Sequence, residues 1–531
     1  MFHAFTAQLS QSRRSFCAYF KEEKALRWFI GLAIVFLYGI RLVHEDVFVD
    51  SDIMMVSPEK LEVSWYGHQR FGLILTRRLF FLTRLLPWHQ SALFGLAMWA
   101  LVLGICFCIR QWSGKASGYR RGAFLFAAIF LSAPCFAEQF LFVLQAFESA
   151  AAMGFCVAAA YCSGKWIYDR GSILWTVPAL LFMVWAFGSY QAYPAFYIAL
   201  TVISYLTVYL HREEVCGLRE GLLQAALFVA GFLLSQVCAR LLCRLHGASA
   251  SYVNHMFCWG KEPLDVCISN ILVDYRRIYM AEWPVFFSRW FRCLAAAAVL
   301  ITLFHGFKRH SRRFPCFLLA LLLLPLTPYL TTLITAMPQP IRSHMTYPLV
   351  FAYCVMGLYV GTAAFPAGQR VTGLLKKAAC CLIMVFGLVL GWKNGMTMGQ
   401  LWETAHEAYV SDKLTANRMY SDICRAANRS DMDGCKVVFI GAREAQIAGT
   451  PVLGDVIGHS FFQWDTSDPV AANLRINTFF ETLGLFMEEA KIEDCKKAAE
   501  LAAGKPNWPA RDSVFVTEDG TVVVKLSDAS P

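Results

Sequence analysis

The chain runs to 531 residues, 57% of them hydrophobic and only 16% charged, where soluble proteins carry about 25% charged residues. With a mean hydropathy of +0.46, a water-soluble enzyme is excluded and a polytopic membrane protein remains. The net charge of +10 excludes little until its placement along the chain is known.

The first long apolar run, "RWFIGLAIVFLYGIRLV" (27–43), starts late and lacks a small-residue cleavage site, so it reads as a retained span. Runs long enough to cross a hydrocarbon core of about 30 Å recur to Trp392. They fall near 28–44, 91–109, 122–137, 140–162, 174–190, 194–210, 222–243, 288–307, 314–336, 346–363 and 378–392, which predicts eleven spans. Lys and Arg gather in alternate short loops: Arg110, Lys115, Arg120 and Arg121; Lys165 and Arg170; Arg212 and Arg219; "KRHSRR" (308–313); Arg370, Lys376 and Lys377. The short loops between them hold almost none, Arg342 excepted. This positive-inside pattern places the N-terminus in the cytoplasm and everything after Trp392 outside. The basic surplus is orientation, and nucleic acid is not an expected partner.

Three outward segments are long enough to build a site: 45–90, 244–287 and the tail 393–531. The first opens with Glu45, Asp46, Asp50 and Asp52. In extended backbone, residues i and i+2 face the same way, so Asp50 and Asp52 are placed to converge on one substrate as a base. A solvated acidic loop or a cation site is the competing reading. The segment closes with "QRFGLILTRRLFFLTRLLP" (69–87), where Arg70, Arg77 and Arg84 recur every seven residues. That spacing predicts an amphipathic helix in the membrane interface, its arginines meeting lipid phosphates or snorkelling to headgroups.

Glu148 lies inside the fourth predicted span with Gln145 one turn earlier; an ionisable residue there is costly and faces a cavity or a partner. Glu138 and Gln139 mark the outer end of that span, and Tyr190 and Gln191 the outer end of the fifth. These groups are candidates to line a sugar pocket, with helix-packing hydrogen bonds as the alternative. Arg342 and His344 occupy a short outward turn, "MPQPIRSHMTYP", where an arginine fork suits a phosphate at the membrane surface or serves as an interfacial anchor.

Most of the nineteen cysteines lie in apolar spans as packing residues. Cys258 and Cys267 share an outward loop, and a disulfide between them suits an oxidising compartment. No CxxC pair has zinc spacing, and a divalent ion on the two aspartates is left open. In the tail, "HEAYVSDKLTANRMYSDICRAAN" (406–428) reads as helix and "KVVFIG" (436–441) as a buried strand. "VFVTEDGTVVVKL" (514–526) reads as a hairpin turning at Asp519-Gly520, with helices near 468–488 and 491–503 completing a small α/β domain. "VFIGAREAQIAG" lacks the spacing of a nucleotide fingerprint.

Together "VDSD" (49–52), "SWYGHQRF" (64–71), "GSYQAYPAFYIAL" (188–200), "PIRSHMTYPLV" (340–350) and the tail "NRMYSDICRAANRSDMDGCKVVFIG" (417–441) resemble the Gtr type-II glucosyltransferases. These are multi-span bacterial enzymes of the cytoplasmic membrane that decorate O-antigen or related surface glycans. The resemblance implies a GT-C-type helical catalytic region over 1–392 with the extracytoplasmic α/β domain over 393–531. It implies transfer of glucose, or a similar sugar, from a polyprenyl-phosphate carrier to a glycan hydroxyl, with no cofactor. Its partners are then the lipid-linked sugar, the glycan acceptor and membrane lipids, with a flippase and a donor synthase upstream. The family's adjacent first-loop acids appear here as Asp50 and Asp52 separated by Ser51. Its "W…GR" pattern appears as Trp65, Gly67 and Arg70, with His68 and Gln69 before the arginine, and Arg342 matches a late-loop arginine. The rival reading is a transporter or flippase of a lipid-linked glycan, which predicts polar residues strung along a path rather than gathered at one end.

Overall fold

A computed structural model describes residues 2–44, 46–82, 84–114, 116–212, 216–249, 255–308, 312–366 and 370–528. Glu45, Lys115 and the centre of the 308–313 basic run lie outside the described residues.

The fold is mostly helical, because the long apolar runs satisfy their backbone polar groups only as helices. Seven helices among the described residues are long and apolar enough to cross a membrane: Pro87–Trp112, Val143–Ile167, Tyr193–His211, Leu218–Leu245, Phe314–Thr335, Thr346–Ala363 and Val371–Ala427. Gly118–Leu131 and Cys135–Leu141 form an eighth if taken as one span, bent by 59° at a break that contains Pro134. The other three predicted spans are also helical but shorter: Lys24–Tyr38 continued by Ile40–Val43, Thr176–Phe187, and Phe291–Phe307. These helices are compatible with a multi-pass membrane protein.

Small residues set the tightest packing. Gly387, Gly391 and Gly395 stand one turn apart on the last long helix, and a Cβ on each would press on Leu125, Ala128 and Leu37 respectively. Their lack of side chains lets this helix lie close against its neighbours. Across the same contact, the Trp402 indole donates to the Leu37 carbonyl at 3.1 Å.

The basic loops share one end of the bundle. Arg110 pairs with Glu22 and Glu23 at 2.6 Å each, Arg120 with Glu23 at 3.1 Å, and Asp169 with Lys165 and Arg212 at 2.8 Å each. A Tyr119–His211 contact at 3.2 Å links the two groups. Cys258 and Cys267, paired by expectation, are both free thiols.

The last helix does not stop at Trp392 but runs unbroken from Arg370 to Ala427, 58 residues. Beyond it lie strands β1 (Val437–Ile440), β2 (Val514–Val516) and β3 (Val522–Lys525), ordered β1-β3-β2. β1 is parallel to β3 with Val437 opposite Val522, and β2 is antiparallel to β3 with Val514 opposite Val524. The hairpin turns at Asp519-Gly520, where Gly520 takes φ +83°. Strand alternation splits the core in two. Val437 and Phe439 pack with Phe479 and Phe480 of the Pro469–Thr482 helix, while Val438 and Ile440 pack with Cys495 and Ala498 of Ile492–Ala502.

β1 is an edge strand, and Asn473 covers its open side: Phe439 N–H donates to the Asn473 carbonyl at 2.7 Å, and the Asn473 amide donates to Phe439 O at 3.0 Å. Asn473→Ala strands both buried backbone groups and is expected to cost about 1–3 kcal/mol. Hydrogen exchange checks it: the Phe439 amide should lose protection while the hairpin amides keep theirs.

Candidate active site

The end of the bundle opposite the basic clusters carries the acids of the first segment. The chain turns at Asp50, which sits in the left-handed region at φ +69° and begins the helix Ser51–Val56. The extended backbone expected here is replaced by this turn, yet both aspartates still converge. They do so on a residue of the tail: Arg475 Nη1 lies 3.0 Å from Asp50 Oδ1 and 3.6 Å from Asp52 Oδ1. A third carboxylate, Asp465, lies 3.2 Å from Nη2. Asp52 is fully buried, whereas Asp50 keeps 40% of its side chain exposed. Burial pushes the Asp52 carboxyl up to about 7; Arg475 pulls against that shift and the neighbouring Asp50 charge adds to it. Burial works to lower the Arg475 pKa, but Asp50, Asp52 and Asp465 together raise it above its ordinary value.

Arg70 follows on the same segment. The turn ahead of it is closed by Arg70 N–H donating to Trp65 O at 2.7 Å, with Gln69 at φ +58°. Phe71 then lies over Gly188, where a Cβ would come within 2.2 Å of the ring, so the glycine lets the two segments meet. The Arg70 guanidinium stacks over the Tyr190 ring at 4.8 Å, and its buried Nε has no hydrogen-bond partner among the described residues. Burial, and then the Arg70 charge, lower His68 to about 4, while Asp50 acts on it in the opposite direction. Asp50, His68 and Arg70 are therefore one electrostatic neighbourhood. Gln191 donates its amide to the His68 carbonyl, and Tyr190 shares a 3.0 Å hydrogen bond with Ser343, next to Arg342. The Arg342 guanidinium lies over the Phe142 ring at 5.4 Å.

The tail enters a second time at Glu138. This buried carboxylate accepts hydrogen bonds from the Val456 and Ile457 N–H groups, each at 3.2 Å. Gly454 is required here, since a Cβ on it would stand 1.8 Å from Glu138 Oε1. Asp455, between them, accepts the Ile341 N–H, so the segment 454–457 bridges Glu138 to the turn that carries Arg342.

Several expected site residues are placed differently. The long amphipathic helix is a nine-residue one, Phe71–Leu79; Arg70 precedes it and Arg84 lies beyond it, after a break at Phe81 with φ +56°. Arg77 is not at an interface but buried, donating to Glu148 Oε1 and to Leu144 O at 3.1 Å each, and Gln90 donates to the same Glu148 oxygen. Arg77 and Glu148 are thus partners of one another rather than groups presented to a phosphate or a sugar. Trp65 is buried in the core. His344 is also buried, 3.8 Å from Asp274, in a network that includes Gln339 N at 2.9 Å, Arg277 at 3.1 Å and the Thr332 hydroxyl. Asp274, rather than a ligand, organises that turn. Among the described residues no group of three or more His, Cys, Asp or Glu has the arrangement to hold a metal ion.

The segments that carry Asp50, Asp52, Arg70, Glu138, Tyr190 and Arg342 fall within the reach of a family model: the model described as glucosyl transferase GtrII matches residues 39–359. The chain belongs to this glucosyl transferase family. Membership supports a glycosyltransferase activity. The comparison with curated proteins gives no match, and neither does the comparison with solved structures. The GtrII match ends before Asp455, Asp465 and Arg475, residues that sequence reasoning also missed. Nothing in "GDVIGH" or "ANLRINTFF" distinguishes Asp455 or Arg475 locally, because their partners Ile341 and Asp50 are more than 100 residues away.

Arg77→Ala leaves the Glu148 carboxylate buried without its cation and is expected to destabilise the protein by about 3–5 kcal/mol. Arg77→Leu combined with Glu148→Leu removes both charges and should recover most of the loss. The Tm values of the two purified variants check the pair.

Proposed function

We propose that this GtrII-family chain transfers glucose, or a similar hexose, from a polyprenyl-phosphate-linked donor to a hydroxyl of a surface glycan such as O-antigen. It works as an eleven-span protein of the bacterial cytoplasmic membrane, with its N-terminus inside and its tail and reacting groups at the outer face. The observation that carries this reading is the meeting, at one end of the bundle, of the Asp50–Asp52 pair and the stacked, incompletely satisfied Arg70 guanidinium.

The acceptor hydroxyl is a weak nucleophile until a base takes its proton as the new bond forms. Asp52 is suited to that step, because a carboxyl pushed to about 7 both holds and releases a proton near neutrality. Asp50, partly exposed beside it, raises Asp52's proton affinity by like charge. As the acceptor oxygen bonds to the sugar's anomeric carbon, the bond to the phosphate oxygen breaks and polyprenyl phosphate leaves with the electron pair. That growing negative charge needs donors already in place, and we assign Arg70 and Arg342 to this role. Tyr190 and Gln191, which contact Arg70, Ser343 and the His68 carbonyl, are the groups we assign to orienting the sugar, and Glu138, bonded to the Val456 and Ile457 N–H groups, holds the tail against them. Polar groups gathered at one end, together with the family, support transfer over passage of a lipid-linked glycan.

Asp52→Asn removes the base and is expected to cut the rate of hexose transfer on the order of 10²–10⁴-fold in purified enzyme given a synthetic polyprenyl-phospho-hexose and a glycan acceptor. Full turnover by folded Asp50→Asn and Asp52→Asn enzymes would sink the assignment. The rate should also rise with pH through about 7, as Asp52 loses its proton. Arg475→Met removes the cation that holds that value down, so its rising limb should move to higher pH; an unmoved limb counts against Asp52 as the titrating group.

A further inference from the structure

A second cationic site lies away from the aspartates. A groove of about 370 Å³ runs along one face of the last long helix and shares no lining residue with the Asp50–Asp52–Arg475 cluster or with Arg70. Leu390, Lys393, Asn394, Thr397 and Gln400 line it at helical spacing, and Arg289 closes it from the opposite side. The order along the helix is chemical: an apolar side chain, then one cation with Arg289 across the groove, then two amides and a hydroxyl. Arg289 and Lys393 are both exposed and have no acidic or hydrogen-bonding side-chain partner among the described residues. Trp290 lines the groove at 50% exposure, and Trp392 is 60% exposed beside Lys393. Exposed indoles at the end of an apolar helix mark the level of lipid headgroups.

We infer that this groove binds the phosphate of a saccharide-bearing lipid outside the catalytic pocket. The lipid tail lies along Leu390, Arg289 and Lys393 take the phosphate, and Asn394, Thr397 and Gln400 bond the hydroxyls of the head. Charge decides against a neutral glycolipid, since two cations facing one cavity need an anion. The gradient decides against free phosphate, which would leave the apolar and amide-lined parts of the groove unfilled. A hexose on a phosphate fits the volume. The assignment rests on the proposed function only for the nature of the lipid; binding requires no turnover.

The test uses the full-length protein in nanodiscs of zwitterionic lipid and a diazirine-tagged polyprenyl phosphate carrying one hexose, with crosslinks mapped by peptide mass spectrometry. Peptides covering 284–290 and 390–400 should be labelled. Arg289→Glu with Lys393→Glu should reduce that labelling by about tenfold or more. Arg70→Ala should leave it unchanged. Both groove cations are exposed, and an unaltered Tm shows that the double variant is folded. Equal labelling of these peptides in the folded double variant overturns the site, as does labelling confined to 46–77. Displacement by millimolar inorganic phosphate reassigns the groove to free phosphate, and equal competition by phosphatidylglycerol removes the saccharide from the assignment. Loss of transfer in Asp52→Asn with groove labelling intact separates failure of this site from failure of the proposed reaction.

Discussion

Three carboxylates share one buried guanidinium. Asp52 is buried while Asp50 and Asp465 keep 40% and 42% of their side chains exposed, and Arg475 offsets the repulsion among the three. The cation arrives from the far end of the chain, more than 400 residues on. The segment 46–56 and the tail are therefore one electrostatic unit, and the geometry of Asp50 and Asp52 depends on how the tail packs. The Glu138 contacts with Val456 and Ile457 and the Asp455 contact with Ile341 fasten the same two parts at a second point.

Charge is sorted along the bundle. Arg110, Arg120, Lys165 and Arg212 are paired with Glu22, Glu23 and Asp169 at one end, where their role is anchoring. At the other end Arg475 is paired with three carboxylates, while Arg70 is stacked on Tyr190 with its Nε incompletely satisfied among the described residues. Complete pairing suits a group that must stay put.

The helical architecture was legible in hydropathy alone, because crossing a membrane imposes length and composition on each run. The tail strand at 436–441 and the hairpin at Asp519-Gly520 were legible from apolar runs and turn chemistry. So were Asp50, Asp52, Arg70 and Arg342 as polar groups next to apolar ones, and the first three do share one neighbourhood. The heptad spacing of Arg70, Arg77 and Arg84 misled, since spacing presumes a helix and this one runs only from Phe71 to Leu79. Arg77 and Glu148 looked like ligand groups because a periodic pattern cannot show that two buried charges answer each other. Arg475 and Asp455 were invisible for the same reason at longer range. Their meaning lies in partners that only the folded chain brings near.

The unbroken helix from Arg370 to Ala427 has a mechanical consequence. At 1.5 Å per residue, the stretch beyond Trp392 is a lever arm of about 50 Å. A tilt of about 5° in its apolar section swings the far end by about 4 Å, which is longer than the 3.0 Å separating Arg475 from Asp50. The close packing at Gly387, Gly391 and Gly395, which fixes that tilt, thus becomes an input to the spacing of acids it never touches.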